Sequence, residues 1–394
     1  MAPPLRSIVS RSADRLLNTV ALRDPSVGEE ARELHARVPV VDLLVATPLF
    51  RAGFVPRRGH GHADLPRLIQ GGVDLVGFSI ATRHPDLRGT LSRPHFCSLG
   101  LPTRALGSDM AIAGALIARI EDWARRSRGR LRLLPASDDL DGIMSDRISG
   151  VVSAFVGVQG GHVLEGQPAN VAALATRGVR MFAPAHVMDN ALVGSNTGRH
   201  SGGLTGFGRD IVAELERQRI MVDLAHMSVR GIHDALPLLR RPFVLSHTGL
   251  SRLAGAGSRL PGRRFTAGRR NLADREARMV AEAGGLIGLT LSTKLLGGEG
   301  LDAMVRTVDA AVELAGPKRV ALGSDMDGAL RMLTDAAGLP AVTTALLAAG
   351  SDRSTVSDFL GGNALRHLGT AWAADRSTHP AGTPEGAAIV SGWR

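Results

Sequence analysis

From residue 38 onward, short runs of aliphatic and β-branched residues alternate with longer stretches whose apolar positions recur at helical spacing. That alternation is the rhythm of a parallel sheet joined by crossover helices. The strand candidates are 38–44, 73–80, 151–158, 178–183, 220–224, 243–246, 286–291 and 319–323. Eight such runs predict a closed (β/α)8 TIM barrel in the α/β class. Between them, 111–128 reads as a helix that is apolar on one face, and Pro168 suits the first turn of a helix over 169–175. Asn271 is expected to cap a helix over 272–283, with Asp274 in its first turn and Gly284-Gly285 ending it. No internal repeat or low-complexity linker interrupts the series. The chain therefore divides into an N-terminal helical arm (1–37), one barrel domain (38–370) and a C-terminal tail (371–394).

A barrel of this kind places its chemistry at the C-terminal ends of its strands. Gln159, His186, His226, His247 and Asp325 each stand within three residues of such an end. They are expected to converge on one pocket.

With 44% hydrophobic residues among 394, the chain can bury a large core. Its formal charge of +10 rests on arginine, because Lys294 and Lys318 are its only lysines. The arginines are scattered rather than interleaved with aromatics, and tyrosine is absent, so no nucleic-acid partner is expected. A small substrate carrying a carboxylate suits the positive field better. Cys97 is the only cysteine, which excludes an internal disulfide and a cysteine-rich zinc site and leaves it as a small packing residue. Residues 1–21 carry Arg6, Arg11 and Arg15 but no apolar core of signal-peptide length. No run is long enough to span a bilayer, so a cytoplasmic protein without a membrane partner is expected.

Five segments, in order, carry a family likeness: Gly157-Val-Gln-Gly-Gly-His162, Asp223-Leu-Ala-His-Met-Ser228, Ser246-His247, Arg269-Arg-Asn-Leu272 and Gly323-Ser-Asp-Met-Asp-Gly328. Through them the chain resembles the renal (membrane) dipeptidase family, the M19 metallopeptidases, which are (β/α)8 barrels of the metal-dependent amidohydrolase type. The resemblance implies a homodimer and assigns roles residue by residue. The two histidines that ligate the family's second zinc fall on His226 and His247. Its substrate-binding histidine falls on His186, its carboxylate-binding arginine on Arg270, and the aspartate that handles the proton on Asp325. Its first-strand His-x-Asp ligand pair falls on Leu44 and Ala46, and its bridging glutamate on Gln159.

Two dications bring four positive charges into a confined site, and here the matching positions offer two neutral imidazoles and one amide. A glutamine oxygen is a weak zinc ligand and carries no charge with which to bridge two metals. The expectation is a site without a metal cofactor. The alternative is one zinc held by His226, His247 and Asp325. His60, His62, Asp64 and His162 read as scaffold, Asp327 as a loop organiser and Met326 as packing. Freed from metal, His226 and His247 regain lone pairs and with Asp325 form a catalytic acid–base set. Arg270 forks onto a substrate carboxylate, and His186 and Gln159 complete substrate binding. Three readings follow: a repurposed enzyme acting by acid–base chemistry on an amino-acid- or dipeptide-derived substrate, in a biosynthetic setting; a conventional zinc dipeptidase; and a non-catalytic binding relative.

Overall fold

Eight parallel strands form the barrel: β1 (Val41–Val45), β2 (Leu75–Ala81), β3 (Val152–Gln159), β4 (Val179–Ala183), β5 (Met221–Val222), β6 (Val244–Thr248), β7 (Leu286–Leu289) and β8 (Val320–Leu322). The structure is a computed structural model that describes residues 14–83, 93–134, 140–254 and 266–373. Each expected run overlaps one of the strands, four of which end one or two residues beyond it. They pair in two ladders, β1-β2-β3-β4-β5 and β6-β7-β8. Parallel bridges Asp223↔Val244 and Val45↔Met326 join the ladders at both seams, so the barrel closes.

Strands splay at the seams, and their buried N–H groups need other acceptors. Two aspartates supply them in the same way. Asp42 Oδ1 accepts from Leu44 N (3.2 Å) and Ser324 N (2.9 Å), and Asp223 Oδ1 accepts from Ala225 N and Ser246 N, both at 2.9 Å. The interior is narrow there: a Cβ on Gly323 would fall 1.7 Å from Ser246 O.

Alternate strand residues, among them Leu43, Leu75, Phe155, Met181, Val244 and Leu286, pack with Leu368 and Trp372 of the helix Asn363–Trp372. Trp372 Nε1 donates to Arg180 O (3.1 Å), and Asn363 Nδ2 to Val320 O (2.8 Å), so this helix plugs the N-terminal end of the barrel. The C-terminal end is left for the site.

The helix expected over 111–128 is Asp109–Arg126, begun by Ser108, whose Oγ accepts from Ala111 N at 3.1 Å. Pro168 does precede a helix, Ala169–Thr176. Asn271 is not the cap expected of it. The helix runs Asp274–Glu282 behind Ala273, while Asn271 Nδ2 donates to Leu295 O (2.7 Å) and its Oδ1 accepts from Gly249 N (3.3 Å). Unpaired backbone in a buried loop claims the side chain first. A short strand at Leu131–Leu133, not expected from the sequence, pairs beside the start of β3.

The described part of the arm is a helical turn at 14–17, a strand Thr19–Val20 paired with Arg331–Met332, and the helix Glu29–Arg37. The tail lies outside the described residues from 374 onward. No helix among the described residues is long and apolar enough to cross a membrane.

Candidate active site

Two of the strand-end residues are held in a backbone conformation that favours glycine: His226 has φ 64° and Asp325 φ 61°. Non-glycine residues persist there only where the surroundings over-determine them, and such positions cluster at working sites. The turn after β5 throws His226 across to β6, where its Nε2 lies 3.0 Å from His247 Nε2. His186, after β4, packs edge-on to His226 with ring centroids 4.8 Å apart.

His247 is oriented from behind. Ser246 Oγ donates to Asp223 Oδ2 at 2.5 Å and lies 2.8 Å from His247 Nδ1. With its single proton given to Asp223, the hydroxyl can only accept from His247, which fixes the imidazole as the Nδ1–H tautomer. The lone pair on His247 Nε2 therefore faces His226. His226 Nδ1 is buried and finds no hydrogen-bond partner among the described residues.

Arg270 ends the short helix Ala267–Arg270 and reaches into this cluster. Its Nη2 donates to His247 O (3.1 Å) and stands 3.4 Å from His226 Nε2. Burial, then Arg270, holds the His226 and His247 imidazoles well below the ordinary histidine range, and the same pair of causes lowers His186 to about 3. All three are neutral at physiological pH. Burial pushes the Asp325 carboxyl up to about 7; Arg270 opposes the rise and Asp42 adds to it. Asp42 itself is lifted by burial to about 6, although Ser324 and Leu44 donate to it.

Gln159 turns sideways, its Nε2 donating to Ser79 Oγ (2.7 Å), while its Oε1 is buried without a partner among the described residues. Leu44 and Ala46 are buried hydrocarbon. The donor set does not fit a pair of zinc ions. It has hydrocarbon at Leu44 and Ala46 and an uncharged amide at Gln159, so two imidazoles are left without a carboxylate at the bridging position. Among the described residues no three His, Cys, Asp or Glu side chains are grouped so as to hold a metal ion, so Asp325 does not complete a three-ligand set with the histidine pair.

A cavity of about 530 Å³ opens beside the cluster, lined by His226, Arg270, Arg269, Arg230 and Asn196 over an apolar floor that includes Leu224 and Leu245. Of the expected residues, His226 and Arg270 line it. Gln159, His186, His247 and Asp325 do not, and each is at least nine-tenths buried. The single shared pocket expected from the sequence is thus a buried cluster with two residues facing an open cavity. His62 and Asp64 serve the scaffold: His62 Nδ1 accepts from Asp327 N (2.9 Å), and Asp64 caps the helix Leu65–Gln70. Sequence reasoning left Asp42, Ser79, Asp223 and Ser246 without roles, although Asp223 and Ser246 stand inside the strings that carry the family likeness.

Residues 28–381 match the family described as membrane dipeptidase, peptidase family M19. The chain is 28% identical over 288 residues to an uncharacterized protein in the pqqA 5′ region of Klebsiella pneumoniae, covering 69% of this chain and 98% of that one. It is 27% identical over 370 residues to dipeptidase verJ of Clonostachys rogersoniana, covering 89% and 88% respectively. In fold it is similar to a metallo peptidase from Rhodobacter sphaeroides liganded with a phosphinate mimic of the dipeptide L-Ala-D-Ala. That match has a TM-score of 0.70 at 24% identity and covers 85% of this chain and 99% of the other.

Proposed function

The chain belongs to the membrane dipeptidase family, peptidase family M19, and from that membership we propose an enzyme that has kept the family's substrate end and replaced its two-metal chemistry with proton transfer. Its substrate is a small amino-acid- or dipeptide-derived molecule bearing a carboxylate. The reaction is an acid–base one: hydrolysis, elimination, isomerisation or cyclisation. The observation that carries this reading is Arg270, which stands against the neutral His226–His247 pair and feels the charge of Asp325, a strand-end carboxyl raised to about 7.

Arg270, with Arg269 and Arg230 on the same cavity wall, supplies the forked donors that a carboxylate takes. A group titrating near the working pH can both give and take a proton, so Asp325 is suited to shuttle one at the reacting atom. Neutral His226 donates from Nε2 to His247 and keeps its lone pair on the buried Nδ1, a base within the cluster. His186 and Gln159 back the reacting centre from its buried side, and the unpartnered Oε1 of Gln159 is the acceptor for a substrate N–H that reaches past the cavity into the cluster.

The test is turnover of a panel of dipeptides and N-acyl amino acids by protein stripped with a chelator. Turnover should survive chelation, fall by about a hundredfold or more in Asp325→Asn, and vanish when the substrate carboxylate is capped as an amide. Activity that appears only on adding zinc, together with tight zinc-dependent binding of a phosphinate dipeptide mimic, would establish a conventional dipeptidase instead.

A further inference from the structure

The cavity beside the cluster carries more positive charge than one carboxylate can use. Three guanidinium groups line it, those of Arg230, Arg269 and Arg270, against a single carboxylate, Glu276, which is buried and pairs with His233 Nε2 at 3.2 Å. One arginine fork already satisfies one carboxylate. Arg270 is the buried member, set against the histidine pair, whereas Arg230 and Arg269 are exposed.

Neither exposed arginine is spent within the protein. Arg269 Nη2 donates to Ser201 Oγ (3.1 Å) and reaches Gly198 O (3.5 Å), which leaves its Nε and Nη1 donors without a partner among the described residues. Arg230 lies along the same loop: a Cβ on Gly203 would fall 3.1 Å from Arg230 Cγ and 3.2 Å from its Nε. It makes no ion pair among the described residues. The acids around this loop are committed to backbone, Asp189 accepting from Ser195 N and His200 N, both at 2.8 Å, and Asp234 from Leu204 N at 2.9 Å. Arg230 also stands outside the segments that carry the family likeness.

We infer that Arg230 and Arg269 form a second anion subsite, so that the substrate is a dicarboxylate: an amino-acid or dipeptide derivative with one carboxylate on Arg270 and an acidic side chain on the exposed pair. This rests on the carboxylate-substrate reading above and narrows it. Leu224, Met227, Ile232 and Leu245 give the same cavity the hydrocarbon that suits the methylene groups separating two acids. Its volume of about 530 Å³ leaves room for a side chain beyond the first carboxylate. A neutral amide of the same shape offers the fork one oxygen in place of two and no charge, so the subsite selects the acid over its amide.

The test uses isosteric pairs that differ by one charge, L-Ala-L-Glu against L-Ala-L-Gln and L-Asp-L-Ala against L-Asn-L-Ala. Each is titrated calorimetrically into full-length protein carrying Asp325→Asn, which holds the dipeptides unreacted. In at least one pair the acidic member should bind about tenfold or more tightly at low salt, with a margin that shrinks as salt is raised because both arginines face solvent. Arg230→Gln/Arg269→Gln should bring the acidic member down to its neutral partner. Arg230→Lys/Arg269→Lys should keep part of the margin, since the charge survives and the fork is lost.

Pairs that bind alike, with an affinity that falls when the C-terminal carboxylate is capped as an amide, overturn the second subsite and leave the carboxylate reading standing. So does a margin that survives Arg230→Gln/Arg269→Gln in a protein with a native circular dichroism spectrum. Binding indifferent to capping, or no binding by any of the four dipeptides, overturns that reading and the inference with it.

Discussion

At the scale of single residues, the site is governed by what burial does to titratable groups. The signs of the resulting pH dependences can be worked out. Asp325 is raised from an ordinary 3.8 to about 7, so folding favours its protonated form. The stability this contributes is full below the ordinary value and is lost as pH rises through about 7. The neutral histidines run the other way: their contribution is present above the ordinary 6.5 and is lost as pH falls toward the lowered values, about 3 for His186. Asp325→Asn removes the first slope alone. Thermal unfolding followed between about pH 4 and pH 8 should show the variant gaining on the wild type as pH rises, then holding a constant lead; parallel curves would refute the raised carboxyl. A second residue-scale prediction concerns Asp223, whose acceptor oxygen forces Ser246 to accept from His247. In Asp223→Asn the new amide donates to Ser246, the hydroxyl turns toward His247, and the imidazole should switch to its Nε2–H tautomer. Nitrogen NMR shifts of His247 check this directly, and an unchanged tautomer would sink the relay. These roles were illegible in the sequence for a physical reason. A histidine at a strand end advertises chemistry, whereas a serine or aspartate one turn behind it looks the same whether it orients an imidazole or pairs with backbone.

At the scale of elements, the barrel's hydrophobic runs give the strands correctly in type and number because strands buried on both faces are predominantly apolar, with their few polar residues too sparse to break the run. Boundaries were less legible. The runs at 220–224 and 319–323 shrink to Met221–Val222 and Val320–Leu322 because ladder hydrogen bonds fail at the ends where strands splay toward the seams. Leu131–Leu133, only three residues long and with Arg132 and Leu133 half-buried, offered no periodicity to detect. The seams themselves depend on Asp42 and Asp223. Asp223→Ala would leave Ala225 N, Ser246 N and the Ser246 hydroxyl without their acceptors. A buried donor left unsatisfied costs about 1–3 kcal/mol, so the variant should lose about 3 kcal/mol or more in denaturant unfolding. Asp223→Asn keeps the acceptor oxygen and should lose about 1 kcal/mol or less. Equal losses in the two variants would mean that the seam is held by charge and not by these hydrogen bonds.

At the scale of the whole molecule, the arm is tied to the loop that presents Asp325. Arg51, after β1, bonds Asp14 of the arm through Nε (2.7 Å) and Asp327 through Nη2 (2.6 Å), and donates to Ala63 O through Nη1 (2.9 Å). Asn18 Oδ1 accepts from Ala329 N (2.9 Å), while Thr19–Val20 pairs with Arg331–Met332. Asp327 also accepts from Thr47 Oγ1 and His62 N. Burial would lift its carboxyl, but Arg51 and His62 outweigh burial and hold it well below the ordinary carboxylate range. Asp327 and Ala329, like Asp325, sit at positive φ, so the loop keeps its shape because these partners impose it. None of this was visible along the chain, since Arg51 and Asp327 are 276 residues apart and the arm before residue 28 lies outside the family match. Removing residues 1–27 would leave Arg51 with Asp327 and Ala63 O and strip the loop of its outer strand and of Asn18. The truncated protein should still fold, because the barrel strands and their plug are intact, but amide exchange at 325–332 should quicken while β3 and β4 keep their protection. Arg51→Met should be worse than the truncation, costing about 3 kcal/mol or more, because it takes from buried Asp14 and Asp327 the guanidinium that pairs with both. If the truncated and full-length proteins exchange alike at 325–332, the arm is an appendage and the loop holds itself.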